Sequence, residues 1–310
     1  MKTRKLGNTG LDVSEVGFGA WQLGNTRDWS AMSQDDAIHL VHRALDLGCQ
    51  FFDTAPNYGG GASQQVLGKA LRRARDRVVL NTKFGHHADG TDFSPKRLRS
   101  SVEASLQALQ TDHLDGVLLH NPPFEYLNGG HPIYQEFDQL KDEGKIRYYG
   151  ASVDSSREML EAIRTTKSQV LEVLFNAFHQ ETAAAFSEAQ AQGLGLVIKV
   201  PLDSGWLSGK YHAASSFEGI RTRWSKDVIA RRAELIDRLQ FITEDGSSMT
   251  QAALRFILGF PQVSTVIPGP RNEAQLLENL SASDQPMPEE VFKRVFAFWK
   301  QHLKENPLPW

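Results

Sequence analysis

The 310-residue chain has almost no cysteine, no long apolar run and no excess of one charge. Its single cysteine, Cys49, excludes an intramolecular disulfide. No stretch approaches the roughly 18 consecutive apolar residues of a membrane span. The start Met1-Lys2-Thr3-Arg4-Lys5-Leu6-Gly7 is basic without an apolar stretch behind it. These absences lead us to expect a cytoplasmic protein with no membrane partner. Lys plus Arg (34) nearly balance Asp plus Glu (37), for a formal charge of −3, and no basic run is long enough to track a phosphate backbone. Nucleic acid is therefore not an expected partner. Despite 10 histidines there is no H-E-x-x-H and no H-x-H ending a strand, so no metal site is expected. Also missing are internal repeats, low-complexity tracts and a G-x-G-x-x-G fingerprint after a strand.

What is present reads as an ordinary folded chain. Apolar residues make up 40% and charged residues 23%, enough to bury a sizeable core without disulfides or metals. Eight short apolar runs recur: Val16 to Trp21, Phe51-Phe52, Val78 to Leu80, Val117 to Leu119, Tyr148 to Ser152, Leu171 to Phe175, Leu196 to Val200 and Val263 to Ile267. They are near-continuous rather than alternating, the mark of parallel strands covered on both faces.

Helix punctuation separates these runs. Ser33 with Asp36 opens a segment whose Ile38, Val41 and Leu45 share one face, and Gly48 stops it. Ser94-Pro95 opens another, with Leu98, Val102 and Leu106 repeating, while Ser155/Glu158 and Ser248/Gln251 are capping boxes. Gly259 and Pro261 close the last of these helices. Alternating strand and helix without a linker predicts one α/β domain over 1–310, a (β/α)8 TIM barrel. Ahead of it, Arg4-Lys5-Leu6 and Leu11-Asp12-Val13 flank Gly7 to Gly10 as a short N-terminal β-hairpin. Insertions at 85–95, 121–133 and 203–226 stand out as longer loops, which in compact domains are usually functional or mobile.

In such a barrel, chemistry sits where strands end. The second, third and fourth runs end in Asp53, Lys83 and His120, and Tyr58 follows Asp53 at the start of a glycine-rich loop. Each alone is as well explained as a polar strand terminus. Together they form a proton-transfer set: a tyrosine of ordinary pKa near 10 needs a neighbouring ammonium to stabilise its anion, and a carboxylate to hold that ammonium charged.

The segments Phe52-Asp53-Thr54-Ala55-Pro56-Asn57-Tyr58-Gly59, Thr82-Lys83 and Leu118-Leu119-His120-Asn121-Pro122 resemble the aldo-keto reductases, an NADP-dependent oxidoreductase family, and match its Asp, Tyr, Lys and His tetrad in order. The likeness runs from Leu6-Gly7-Asn8-Thr9-Gly10-Leu11 through Pro201-Leu202-Asp203-Ser204-Gly205 and Ser208-Gly209-Lys210 to Val266-Ile267-Pro268-Gly269-Pro270-Arg271 and Glu278-Asn279. It implies hydride transfer between a nicotinamide and the carbonyl of an aldehyde or ketone, or the reverse with an alcohol or sugar. Tyr58 would be the general acid/base, Lys83 paired with Asp53 would tune it, and His120 would orient the carbonyl oxygen.

The resemblance also implies an extended cofactor across the barrel mouth, held by Trp21, Asp53, Ser152, Glu172, Lys199, Pro201, Leu202, Ser204, Gly205, Lys210, Gly269, Arg271, Gln275, Glu278 and Asn279. Arg271 would fork onto a 2′-phosphate, favouring NADP(H) with NAD(H) possible. The implied substrate pocket is Trp21, Tyr58 and His120, with Trp29, Phe84, His86, His87, Trp206 and Trp224 on nearby loops; each of these six reads first as loop packing, and His86-His87 as surface.

Three positions depart from the family pattern: Val153 for an asparagine beside Ser152, Glu172 for a glutamine at the carboxamide, and Lys199 for an aromatic ring. The last two, opposite in sign on strands six and seven, suggest a Glu172–Lys199 pair beneath the nicotinamide. Two other functions compete: a Schiff-base aldolase with Lys83 as nucleophile, and a non-catalytic NADPH-binding redox-sensing or regulatory subunit.

Overall fold

The computed structural model describes every residue except 28, 30 and 88. Eight parallel strands form one sheet in sequence order: β1 (Phe18–Gly19), β2 (Phe51–Asp53), β3 (Val79–Phe84), β4 (Leu114–His120), β5 (Ile146–Val153), β6 (Val170–Leu174), β7 (Gly195–Lys199) and β8 (Val263–Val266). The sheet curls until its edges meet. Val16 bridges Val266 in parallel, the Gly17 N–H donates to the Val266 carbonyl at 2.8 Å, and the Gly19 N–H donates to Pro268 at 3.1 Å. These contacts join the two edges of the eight-stranded sheet into a barrel. All eight expected strands form, with bounds shifted by a few residues.

Burial explains their composition. Phe51, Val79, Leu118, Tyr148, Val170, Val197 and Ile267 fill the barrel interior, while a larger cluster lies between strands and helices. An antiparallel hairpin, Thr3–Lys5 against Asp12–Ser14, drives Leu6 and Val13 into that interior from below. Its turn packs so closely that a Cβ on Gly7 (φ +51) would lie 2.3 Å from the Gly195 nitrogen.

The helices α1 (Gln34–Asp46), α2 (Ala62–Leu71), α3 (Pro95–Ala108), α4 (Ile133–Asp142), α5 (Ser156–Thr165) and α6 (Phe186–Ala191) cover the outside, and α7 (Lys226–Leu239) and α8 (Met249–Leu258) lie between β7 and β8. Then come α9 (Glu273–Leu280) and α10 (Glu289–His302). Both capping boxes form. The buried face of α1 is Ala37, Leu40, Val41 and Ala44, rotated from the expected Ile38, Val41, Leu45 stripe. Small residues there admit α2 closely, and the larger side chains ride at the margin. Among the described residues no helix is long and apolar enough to cross a membrane.

Candidate active site

The mouth at the strand C-termini collects the expected groups. Asp53 ends β2, Lys83 is the penultimate residue of β3, and His120 ends β4. Tyr58 opens a 3-10 turn, Tyr58–Gly61, in which Gly59, Gly60 and Gly61 all have left-handed φ (58°, 63° and 95°). That path turns the chain back toward the barrel within one turn, which side chains with a Cβ resist. A Cβ on Gly59 would also sit 2.9 Å from the Gly24 backbone, so the loop after β1 pins the turn that carries Tyr58.

Lys83 is 1% exposed and lies between two carboxylates, ion-paired to Asp53 and 3.1 Å from Glu172. Asn81 donates to the other Asp53 oxygen at 2.7 Å. Burial works against the ammonium, but Asp53, Glu172 and Tyr58 overcome it and raise its pKa. A lysine so held is protonated and inaccessible, which argues against Schiff-base chemistry. Burial, with Glu172, raises Asp53 to about 7 against the pull of Lys83.

The Lys83 ammonium is 5.4 Å from the centroid of the Tyr58 ring. Burial lifts the Tyr58 phenol above its ordinary value; Lys83 opposes this, and Asp53 and Glu172 add to it. His120 stands edge-on to Tyr58, with ring centroids 5.9 Å apart. Burial, then Lys83, Lys199 and His86, push it well below the usual histidine range, so its imidazole is neutral at neutral pH.

The expected Glu172–Lys199 pair does not form. Glu172 turns inward to Lys83, and Lys199 turns to Asp154 at 2.8 Å. Ser152 lies between them, donating to Glu172 at 3.1 Å and lying 2.8 Å from the Lys199 nitrogen. The reason is positional: Glu172 is buried within the barrel, where Lys83 is the nearest cation, whereas Lys199 ends β7 at the rim. Lys199 also donates to the Asn121 side-chain oxygen at 2.8 Å, and Asn121 donates to Asp154 at 2.6 Å. Asn121, at φ +48°, thus brings an amide to Ser152, while Val153 points into the outer core. Asn121 is not among the expected contacts; what marks it in the sequence is an asparagine just past a strand end, a residue type that tolerates the left-handed region.

The remaining candidates fall into two stretches. After β7, Val200, Asp203, Ser204 and Gly205 all have left-handed φ (54°, 46°, 55° and 100°), a sharply strained turn next to Pro201 and Leu202, with Lys210 exposed beyond it. A β-branched residue such as Val200 rarely adopts this conformation, which costs about 1–3 kcal/mol. After β8, Gly269 and Arg271 precede α9, while Gln275 lies in its first turn and Glu278 and Asn279 in its last. There the Gln275 side-chain oxygen accepts from the Arg271 N–H at 2.9 Å, Glu278 accepts from Ser248 at 2.6 Å, and Asn279 is buried.

Of the aromatic candidates, Trp21 lies 6.4 Å from Tyr58 and 4.6 Å from Trp29 between ring centroids. Phe84, Trp206 and Trp224 are buried packing residues. His86, read as surface, is instead half-buried with its ring 5.0 Å from that of His120; a short hairpin, His86–His87 with Gly90–Thr91, folds it back over the mouth. Among the described residues no group of His, Cys, Asp and Glu is arranged to hold a metal.

Comparison with known proteins agrees with this fold. The profile of the Aldo/keto reductase family matches residues 15–300. An L-galactose dehydrogenase of Arabidopsis thaliana is 32% identical over 298 residues, spanning 91% of this chain and 88% of the relative. A probable voltage-gated potassium channel subunit beta of rice (Oryza sativa subsp. japonica) is 28% identical over 307 residues, covering 92% of each chain. An aldo-keto reductase of Bacillus halodurans, solved in its holo form, superposes with a TM-score of 0.81 at 25% identity over 99% of each chain.

Proposed function

The chain belongs to the aldo/keto reductase family of oxidoreductases, and from that premise we propose that it interconverts a carbonyl and an alcohol with Tyr58 as general acid/base. The observation that carries this reading is the burial of Lys83 against Asp53 beside the Tyr58 ring. A nicotinamide, when bound, supplies or receives the hydride. The chain's own residues manage the proton. Tyr58, protonated through neutrality, gives its proton to the carbonyl oxygen during reduction and takes it back during oxidation. Lys83 stays charged throughout and stabilises the phenolate as it forms. Neutral His120 hydrogen-bonds the same oxygen and fixes its direction.

The donor set fits the cofactor. Asn121, Ser152 and Lys199 converge where a carboxamide needs both donors and acceptors. Arg271 and Lys210 supply cationic groups for phosphates, and Arg271 favours NADP(H) over NAD(H). In this reading Trp21 and His86, whose rings lie near those of Tyr58 and His120, would border the bound substrate, and the dehydrogenase relative extends the candidate substrates to sugars.

Tyr58→Phe should keep cofactor binding, read by fluorescence titration, and lose turnover of aldehydes or alcohols by about 10²- to 10⁴-fold; equal activity in the variant would refute the assignment. Arg271→Ala should weaken NADPH binding by about 10- to 100-fold and NADH binding far less, as loss of a charge-assisted contact requires. A second reading, a cofactor-binding regulatory subunit, is favoured by the channel-subunit relative. Cofactor binding without turnover across a panel of aldehydes, ketones and sugars would select it.

A further inference from the structure

Lys83 has more carboxylate around it than one ammonium can neutralise. Asp53 and Glu172 both contact it, all three are buried, and the second Glu172 oxygen has no hydrogen-bond partner beyond this ion pair among the described residues. The other titratable groups nearby do not restore the balance. His120 is neutral, Tyr58 and the buried Tyr148 hold their protons, and Lys199 is taken by Asp154. Once pH rises past the value near 7 to which burial and Glu172 lift Asp53, the mouth therefore keeps one uncompensated negative charge, in a setting where water screens it poorly.

Resting on the functional reading above, we propose that Glu172 sets which redox form of the cofactor the site prefers, favouring the oxidised, cationic form of the nicotinamide over the neutral reduced form. The argument is electrostatic. Any hydride acceptor that works with Tyr58 and His120 has to come against this same mouth, and Glu172 is separated from Tyr58 only by Lys83. A unit charge about 10 Å from a cationic ring, at an effective dielectric of about 20, changes a binding constant by about tenfold. The reduced ring carries no charge and gains nothing.

A Glu172 that simply bound the carboxamide would behave otherwise, because the carboxamide is the same in both redox forms. Dissociation constants for NADP+ and NADPH, titrated by protein fluorescence at pH 8.5, above the value near 7 to which burial and Glu172 raise Asp53, separate the two. Glu172→Gln keeps shape and an acceptor for Lys83; it should weaken NADP+ about tenfold and leave NADPH within about twofold. Lys199→Met, which leaves Asp154 uncompensated, should move the ratio the opposite way. Equal weakening of both forms by Glu172→Gln, no change, or shifts of the same sign in both variants would overturn the proposal. Should Glu172→Gln fail to fold, the sign in Lys199→Met decides. Wild-type protein that binds neither form would instead overturn the functional reading on which this rests.

Discussion

At the scale of single residues, the decisive arrangement is two carboxylates on one lysine. Burial and the Glu172 charge together lift Asp53 to about 7 from the 3.8 expected of a free aspartate. The sign follows from linkage: the folded protein binds the proton more tightly than the unfolded chain, so this contribution to stability is fully present below about pH 4 and is lost as pH rises to about 7. Glu172→Gln removes one of the two causes. Its unfolding midpoint, followed by urea denaturation at pH 5 and pH 8, should therefore fall less across that interval than the wild type's; an equal fall would assign the effect elsewhere. His120, held neutral in the fold but protonated at pH 5 in the unfolded chain, acts in the opposite sense in both proteins, so the difference between variant and wild type isolates Glu172.

At the scale of elements, the glycine turn after β2 matters more than any helix. Gly59 and Gly60 share the left-handed region, but only Gly59 lies against another backbone; a Cβ on Gly60 would meet nothing within 4 Å. Gly60→Ala should then cost only about 1 kcal/mol, the conformational penalty, and leave turnover nearly intact. Gly59→Ala adds a clash with Gly24 that must move Tyr58, so kcat should drop by tenfold or more, about the sensitivity expected of a 1 Å misplacement. Similar kcat in both variants would remove the packing argument. The α1 face makes a related point. Its caps were legible because Ser33 bonds the Asp36 N–H three residues away, whereas the choice of Leu40 and Ala44 over Ile38 and Leu45 depends on how closely α2 approaches.

At the scale of the whole molecule, the chain's end is tied to the strained turn after β7. Arg232 of α7, fully buried, donates to Asp203 at 3.0 Å and to the Pro309 carbonyl at 3.0 Å, and the Trp310 ring lies 5.7 Å from that of His179, which itself faces Asp203 at 3.3 Å. Asp203 is held ionised by His179 and Arg232 in spite of its burial. Breaking such a pair from one side strands a buried charge, so Arg232→Met should lose about 3–5 kcal/mol in chemical unfolding, and adding Asp203→Asn should recover part of it. Strict additivity of the two would mean that they act independently.

Much of the molecule follows from the sequence alone, because the forces that write it are local. Strand burial shows in near-continuous apolar runs, helix ends in capping residues three positions apart, and the tetrad in the residue types at or next to the ends of β2, β3 and β4 together with the tyrosine after β2. Pairings between distant strands are not written locally. That Glu172 of β6 turns to Lys83 of β3 and away from Lys199, that Asn121 brings an amide to Ser152 while Val153 enters the core, that His86 returns to His120, and that Val16 meets Val266 to close the barrel were decided only in three dimensions. A side chain's partner is whichever opposite group the closed barrel brings within reach, and curvature and register set that for all eight strands at once.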